Sequence, residues 1–131
     1  MASSQAMENY QLSFGNPMNV DDGQARPDFV VSDCEGETAD SGFVEAVAVW
    51  LEGQGYGVSV NDPYKGAEMI RRYGMPSEGR HSIQIEINRR LYLDPDRMMK
   101  TDGFASLKED LDAFSVWLAG HVQTGLEAAE A

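Results

Sequence analysis

Residues Ser82-Ile83-Gln84-Ile85-Glu86-Ile87-Asn88 alternate between polar and apolar without a break. A period of two places Ile83, Ile85 and Ile87 on one side of a strand and Ser82, Gln84, Glu86 and Asn88 on the other. No helix accommodates that pattern, so a strand is predicted here. A second strand is predicted at Phe29-Val30-Val31, which follows Pro27 and ends at Ser32-Asp33 and Gly36. Thr38, Asp40 and Ser41 are good helix-capping residues, and Phe43, Val44, Val47, Trp50 and Leu51 recur at helical spacing before Gly53 and Gly55. Tyr56 to Val60 reads as a third strand, closed by Asn61-Asp62-Pro63. Strand, helix, strand in that order makes a right-handed parallel crossover the default. The fold class is therefore α/β, a sheet with flanking helices.

The remaining segments set the organisation. Residues 1–25 are rich in Ser, Asn, Gln, Gly and Asp and read as an irregular segment, with a short strand expected near Tyr10 to Phe14. Residues 26–125 form the α/β domain, and 126–131 are expected to be a frayed Ala/Glu-rich tail. Tyr64 to Arg80 reads as a long loop punctuated by Gly66, Gly74, Pro76 and Gly79, with a helical turn at Glu68 to Tyr73. From Thr101 or Asp102 a long helix is predicted, with Phe104, Leu107, Leu111, Phe114, Leu118 and Val122 as its apolar stripe. The length of 131 residues suits one domain, and there are no internal repeats.

Charge excludes some partners. The chain carries 22 acidic and 10 basic residues, a net charge of −12, which argues against nucleic-acid binding. Residues 61–97 are different: seven basic residues (Lys65, Arg71, Arg72, Arg80, Arg89, Arg90, Arg97) outnumber six acidic ones there. Such an island either binds a small anion or is a set of surface arginines paired with neighbouring acids. No apolar run reaches the ~18 residues of a membrane span, and Met1 to Gln11 lacks the features of a secretory signal. The single cysteine, Cys34, forms no internal disulfide, and the expected location is cytoplasmic.

The alternating strand carries the chemistry. Glu86 has an amide on each side on the same face, Gln84 and Asn88. If that face lines a cleft, Glu86 is placed as a general base or metal ligand on rigid backbone; if it faces solvent, the alternation is ordinary. Asn61-Asp62-Pro63-Tyr64-Lys65-Gly66 follows a predicted strand, where ligands sit in open α/β sheets. Arg80-His81 and Arg89-Arg90 flank the strand, and an arginine fork suits carboxylates.

Asn61-Asp62-Pro63-Tyr64-Lys65-Gly66, Arg72-Tyr73-Gly74, Glu78-Gly79-Arg80-His81 running on to Asn88-Arg89, and Leu91-Tyr92-Leu93-Asp94 together resemble the C-terminal part of the N-formylglutamate amidohydrolase family. Arg26 to Asp33 is similar to an earlier stretch of it, so the likeness spans roughly residues 26–122. The resemblance implies the C-terminal half of a three-layer fold like that of zinc carboxypeptidases, a mixed sheet between helices. It implies a metal-dependent hydrolase that releases formate from N-formyl-L-glutamate in histidine breakdown. By the same likeness Glu86 is the base that activates water. Lys65, Arg80 and Arg89 hold substrate carboxylates or the oxyanion, and Asn61, His81, Gln84 and Asn88 orient the substrate. The family's metal-binding histidines belong to an earlier half without a counterpart here. Tyr10-Gln11-Leu12-Ser13-Phe14 stands where an Asp-x-His-Ser segment is expected, and Ala67 replaces a family glycine.

The zinc or other divalent metal of the family is therefore not expected to be held by this chain alone. Only His81, His121 and Cys34 are strong nitrogen or sulfur donors, whereas a catalytic zinc takes about three protein ligands. Cys34 lies among Asp33, Glu35 and Glu37, which disfavour its thiolate, so it reads as inert. Two readings stay open: a hydrolase of linear amides that is a partial chain, inactive alone, and a non-catalytic anion-binding module on the same scaffold. The expected partner is a small anion, an N-formyl-amino acid or a dicarboxylate, with a second copy or a complementing chain as the expected protein partner.

Overall fold

The computed structural model describes residues 2–3 and 25–130. The strand expected near Tyr10 to Phe14 lies outside the described residues. The chain divides into two compact units, Met1–Arg89 and Arg90–Ala131.

The first unit is built on a four-stranded mixed sheet in the order β1-β4-β2-β3. Its strands are β1 (Ala2–Ser3), β2 (Phe29–Ser32), β3 (Val58–Val60) and β4 (Gln84–Ile87). Helix α1 (Ser41–Gly53) joins β2 to β3, which pair in parallel, as the strand-helix-strand order predicts. β4 runs antiparallel to β2, with Phe29 opposite Ile87 and Ser32 opposite Gln84. β1, in the segment read as irregular, pairs in parallel with Glu86 and Ile87.

α1 ends by the logic of its sequence. Gly55 adopts φ +96, a conformation that favours glycine. Its N–H bonds Glu52 O at 2.9 Å while Tyr56 N–H reaches Leu51 O at 3.4 Å, a Schellman closure. Val44, Val47, Ala48 and Leu51 are the buried stripe, and the helix packs on β2 and β3. Tyr56 stands edge-on to the buried Phe29 ring, centroids 4.8 Å apart.

Cross-strand partners share a face, so the register sorts the sheet into two surfaces. One carries Phe29, Val31, Val58, Val60, Ile85 and Ile87. The other carries Ser59, Val30, Ser32, Gln84 and Glu86. β4 is shorter than the alternation suggests. Past Ser32 the neighbouring chain turns away, and Ser82 N–H bonds Thr38 O at 2.8 Å instead of continuing the ladder. Thr38, almost fully buried, returns a hydroxyl bond to Ser82 O at 2.7 Å. A short helix, α2 (Glu68–Tyr73), occupies the predicted helical turn in the long loop.

The second unit holds a hairpin, β5 (Leu93–Asp94) with β6 (Met99–Lys100), and the 28-residue helix α3 (Gly103–Glu130). Asp94 Oδ1 accepts the N–H groups of Asp96 and Arg97, which turns the hairpin. The apolar stripe predicted for α3 is buried only at Leu107 and Phe114, and Val122 is exposed. The helix runs on to Glu130, through the residues expected to fray. Among the described residues, no helix is long and apolar enough to cross a membrane.

Candidate functional site

Two neighbourhoods of the first unit carry the predicted residues. The first is a turn at the C-terminal end of β2. Cys34, Glu35 and Gly36 all have positive φ, at 54, 57 and 94. Two of them are non-glycine residues in the left-handed region, which costs about 1–2 kcal/mol each. Asn61, itself at φ 53 beyond β3, holds this turn together. Its Oδ1 accepts Asp33 N–H at 3.0 Å and Glu35 N–H at 3.4 Å, and its Nδ2 donates to Asp33 Oδ1 at 2.7 Å. Asp33 Oδ1 also takes Gly36 N–H at 3.0 Å. The segment after Asn61 is stitched to the same end of the sheet. Cys34 N–H donates to Lys65 O at 2.7 Å and Ser32 Oγ to Tyr64 O at 2.6 Å. Gly66 adopts φ +108, a conformation that favours glycine, and a Cβ there would also crowd Ile70 Cδ1 and Cys34 Sγ.

The second neighbourhood is the polar face of β4. Glu86 is 3% exposed. Its Oε1 accepts a hydrogen bond from Gln84 Nε2, and its Oε2 has no hydrogen-bond partner among the described residues. Burial pushes the Glu86 carboxyl above the usual carboxylate range, and the Gln84 bond opposes that rise. A buried carboxylate with one unbonded oxygen on a central strand can exchange a proton from a fixed position.

The candidate residues do not all converge. Asn61 is spent on Asp33 and Glu35. Lys65 pairs with Glu35, and Arg80 pairs with Glu78 at 2.8 Å, with all four side chains more than half exposed. Arg71 pairs with Glu37 at 2.6 Å in the same manner. At these three positions the basic island is a set of surface ion pairs. His81 stacks on Phe43 at 5.0 Å and accepts Asp40 N–H on Nδ1 at 3.2 Å, which ties it to the start of α1. Asn88 lies at the opposite end of β4 from Gln84, about 13 Å away at ~3.3 Å per residue. There its N–H bonds Asp28 O at 2.8 Å and its Nδ2 donates to Pro27 O at 3.4 Å. Arg89 follows it into a 3-10 turn, Arg89–Leu91.

Asp33 and Thr38 also shape these neighbourhoods, although the spacing of residues alone does not mark them as site residues. The run Asp33-Cys34-Glu35-Gly36, an acid three residues before a glycine, was the available signal for an Asx-type turn. Cys34 is buried, and burial raises its thiol pKa, with Arg71 opposing and Glu37, Asp33 and Glu68 adding to the rise. Among the described residues, no group of three His, Cys, Asp or Glu side chains could hold a metal ion. The donor set present does not fit a catalytic zinc.

The first unit is thus of the mixed α/β class, with a buried, half-satisfied carboxylate on the polar face of its sheet. Comparison with known proteins makes this specific. The N-formylglutamate amidohydrolase family profile matches residues 7–93, two thirds of the chain, and the chain belongs to that family. An N-formylglutamate deformylase of Pseudomonas aeruginosa is 30% identical over 69 residues, covering 52% of this chain and 26% of the relative. One from Pseudomonas putida is 30% identical over 86 residues, 65% of this chain and 30% of the relative. The crystal structure of an N-formylglutamate amidohydrolase from Ralstonia eutropha superposes with a TM-score of 0.76 at 36% identity, over 90% of this chain and 41% of that one. The chain thus spans between a quarter and two fifths of the length of these relatives.

Proposed function

We propose that this chain carries the base-bearing part of an N-formylglutamate amidohydrolase-type site, with Glu86 as the general base. The observation that supports this most directly is the buried Glu86 carboxylate with one oxygen engaged and one free. In hydrolysis of N-formyl-L-glutamate, the water oxygen bonds to the formyl carbon and one water proton goes to Glu86 Oε2. The C–N bond breaks as that proton is delivered to the leaving nitrogen, giving formate and glutamate. Positioned acid-base catalysis of this kind is worth roughly 10²–10⁴-fold in rate.

Lys65, at the same end of the sheet as Gln84, is our candidate for a substrate carboxylate. Its pair with Glu35 is exposed, hence weak, and an incoming carboxylate can replace the acid. The fold likeness extends, on this reading, to the zinc-carboxypeptidase-like three-layer arrangement. The metal of that chemistry belongs to a portion of the family's sequence not represented among the described residues, so no metal-borne step is assigned to them. A cytoplasmic role in histidine breakdown, beside a second copy or a complementing chain, completes the proposal.

That no group of three His, Cys, Asp or Glu side chains among the described residues could hold a metal favours a second reading, an anion-binding module without turnover. Elemental analysis of the purified chain with a formate-release assay on N-formyl-L-glutamate tells a site complete in this chain from one that is not. Binding that weakens with salt, little zinc and no turnover is expected of the chain alone. Stoichiometric zinc with formate release abolished by Glu86→Ala would show a site complete in this chain.

A further inference from the structure

We infer that Gln84 is a positioning residue for Glu86: its amide holds Oε1 and leaves Oε2 as the one oxygen free to exchange a proton. The two residues are i and i+2 on one strand, so their side chains leave the same face of β4. On β2 and β3 the neighbours on that face offer Glu86 no hydrogen-bond donor; on its other side Ala2 of β1 pairs with it, and the chain's N-terminal ammonium favours the charged carboxyl without bonding it. Val30, directly opposite, is apolar. The Ser32 hydroxyl donates to Tyr64 O at 2.6 Å, and the Ser59 hydroxyl donates to Asp62 O. Gln84 Nε2 is therefore the one donor to Glu86 among the described side chains of this face.

The terminal torsion of a glutamate is broad and roughly two-fold, so an unheld carboxylate interchanges its oxygens. A donor on Oε1 removes that freedom and aims Oε2. An amide suits the task because it has no ionisation of its own: the bond favours the charged carboxylate at every working pH. The same bond opposes the rise in the Glu86 pKa that burial causes. This assigns Gln84 a task other than contact with substrate. Its meaning for catalysis rests on Glu86 being the base, but the bond itself does not.

The test is NMR titration of the full chain labelled with ¹³C and ¹⁵N, following Glu86 Cδ and the Gln84 side-chain amide. In the wild-type protein the Gln84 Nε2 resonance should move with the same midpoint as Glu86 Cδ. In Gln84→Met, which keeps the length and loses the donor, the Glu86 midpoint should rise by about one pH unit or more, the scale of a hydrogen bond to a charged group. A Gln84 amide that stays still while Glu86 titrates would overturn the inference, and that measurement needs no variant to fold. A Glu86 midpoint unchanged in folded Gln84→Met would overturn it as well. Formate release plays no part in either reading, so a failure of Glu86 as base and a failure of Gln84 as its holder are told apart.

Discussion

Glu86 sits where a carboxylate is costly, and the sign of that cost is testable. Its pKa in the folded state is raised, chiefly by burial, so between the unfolded and folded values the native state binds more protons. The stability linked to its protonation is full below the ordinary glutamate pKa of about 4.3 and is lost as pH rises through the folded value. Glu86→Gln should therefore melt higher than wild type at pH 7, and the difference should shrink toward pH 4 in a series of thermal melts. Asn61 is the opposite case, a polar residue whose bonds are satisfied. Asn61→Ala loses three hydrogen bonds and puts a Cβ-bearing residue without a polar side chain at φ 53. A loss of about 2–4 kcal/mol in urea unfolding is expected.

Elements hold the polar face in place by close approaches between loops. Gly74, at the end of α2, meets the loop before α1: a Cβ there would lie 2.6 Å from both Thr38 Cβ and Thr38 O. Thr38 is in turn bonded twice to Ser82, just before β4. Gly74→Ala must push this backbone apart, and overpacking of that kind costs about 1–3 kcal/mol. Chemical denaturation should show that loss. Amide exchange should accelerate first at Ser82, whose N–H is bonded to Thr38 O.

At the scale of the whole molecule, charge dominates. A net charge of −12 with 22 acidic residues repels itself. The ion pairs seen at Lys65, Arg71 and Arg80 are exposed and compensate weakly. Screening should relieve the net repulsion, so the melting temperature at pH 7 should rise when salt is raised from ~20 mM to ~500 mM, a change that shortens the Debye length from about 20 Å to about 4 Å. A fall over that range would mean that specific ion pairs outweigh the net repulsion.

Local periodicity determined much of this protein from the sequence alone. The spacing of Val44, Val47 and Leu51 defines the helix that joins two parallel strands. The alternation through residues 84–87 places Gln84 and Glu86 on one face, because a strand's period of two is a property of its own backbone. The ordered motifs from Asn61 to Asp94 carry the family. Tertiary structure alone decided what those faces meet. Burial of Glu86 depends on what covers the sheet, and the reach of a side chain depends on which strand lies beside it and in which direction. β4 runs against β2, so Gln84 falls beside Ser32 while Asn88 is carried to the far end. Asn61, read as a substrate contact, faces a turn whose backbone N–H groups consume its amide. Lys65 and Arg80 meet acids that pattern reading cannot pair, since contacts between segments follow from packing and not from spacing along the chain.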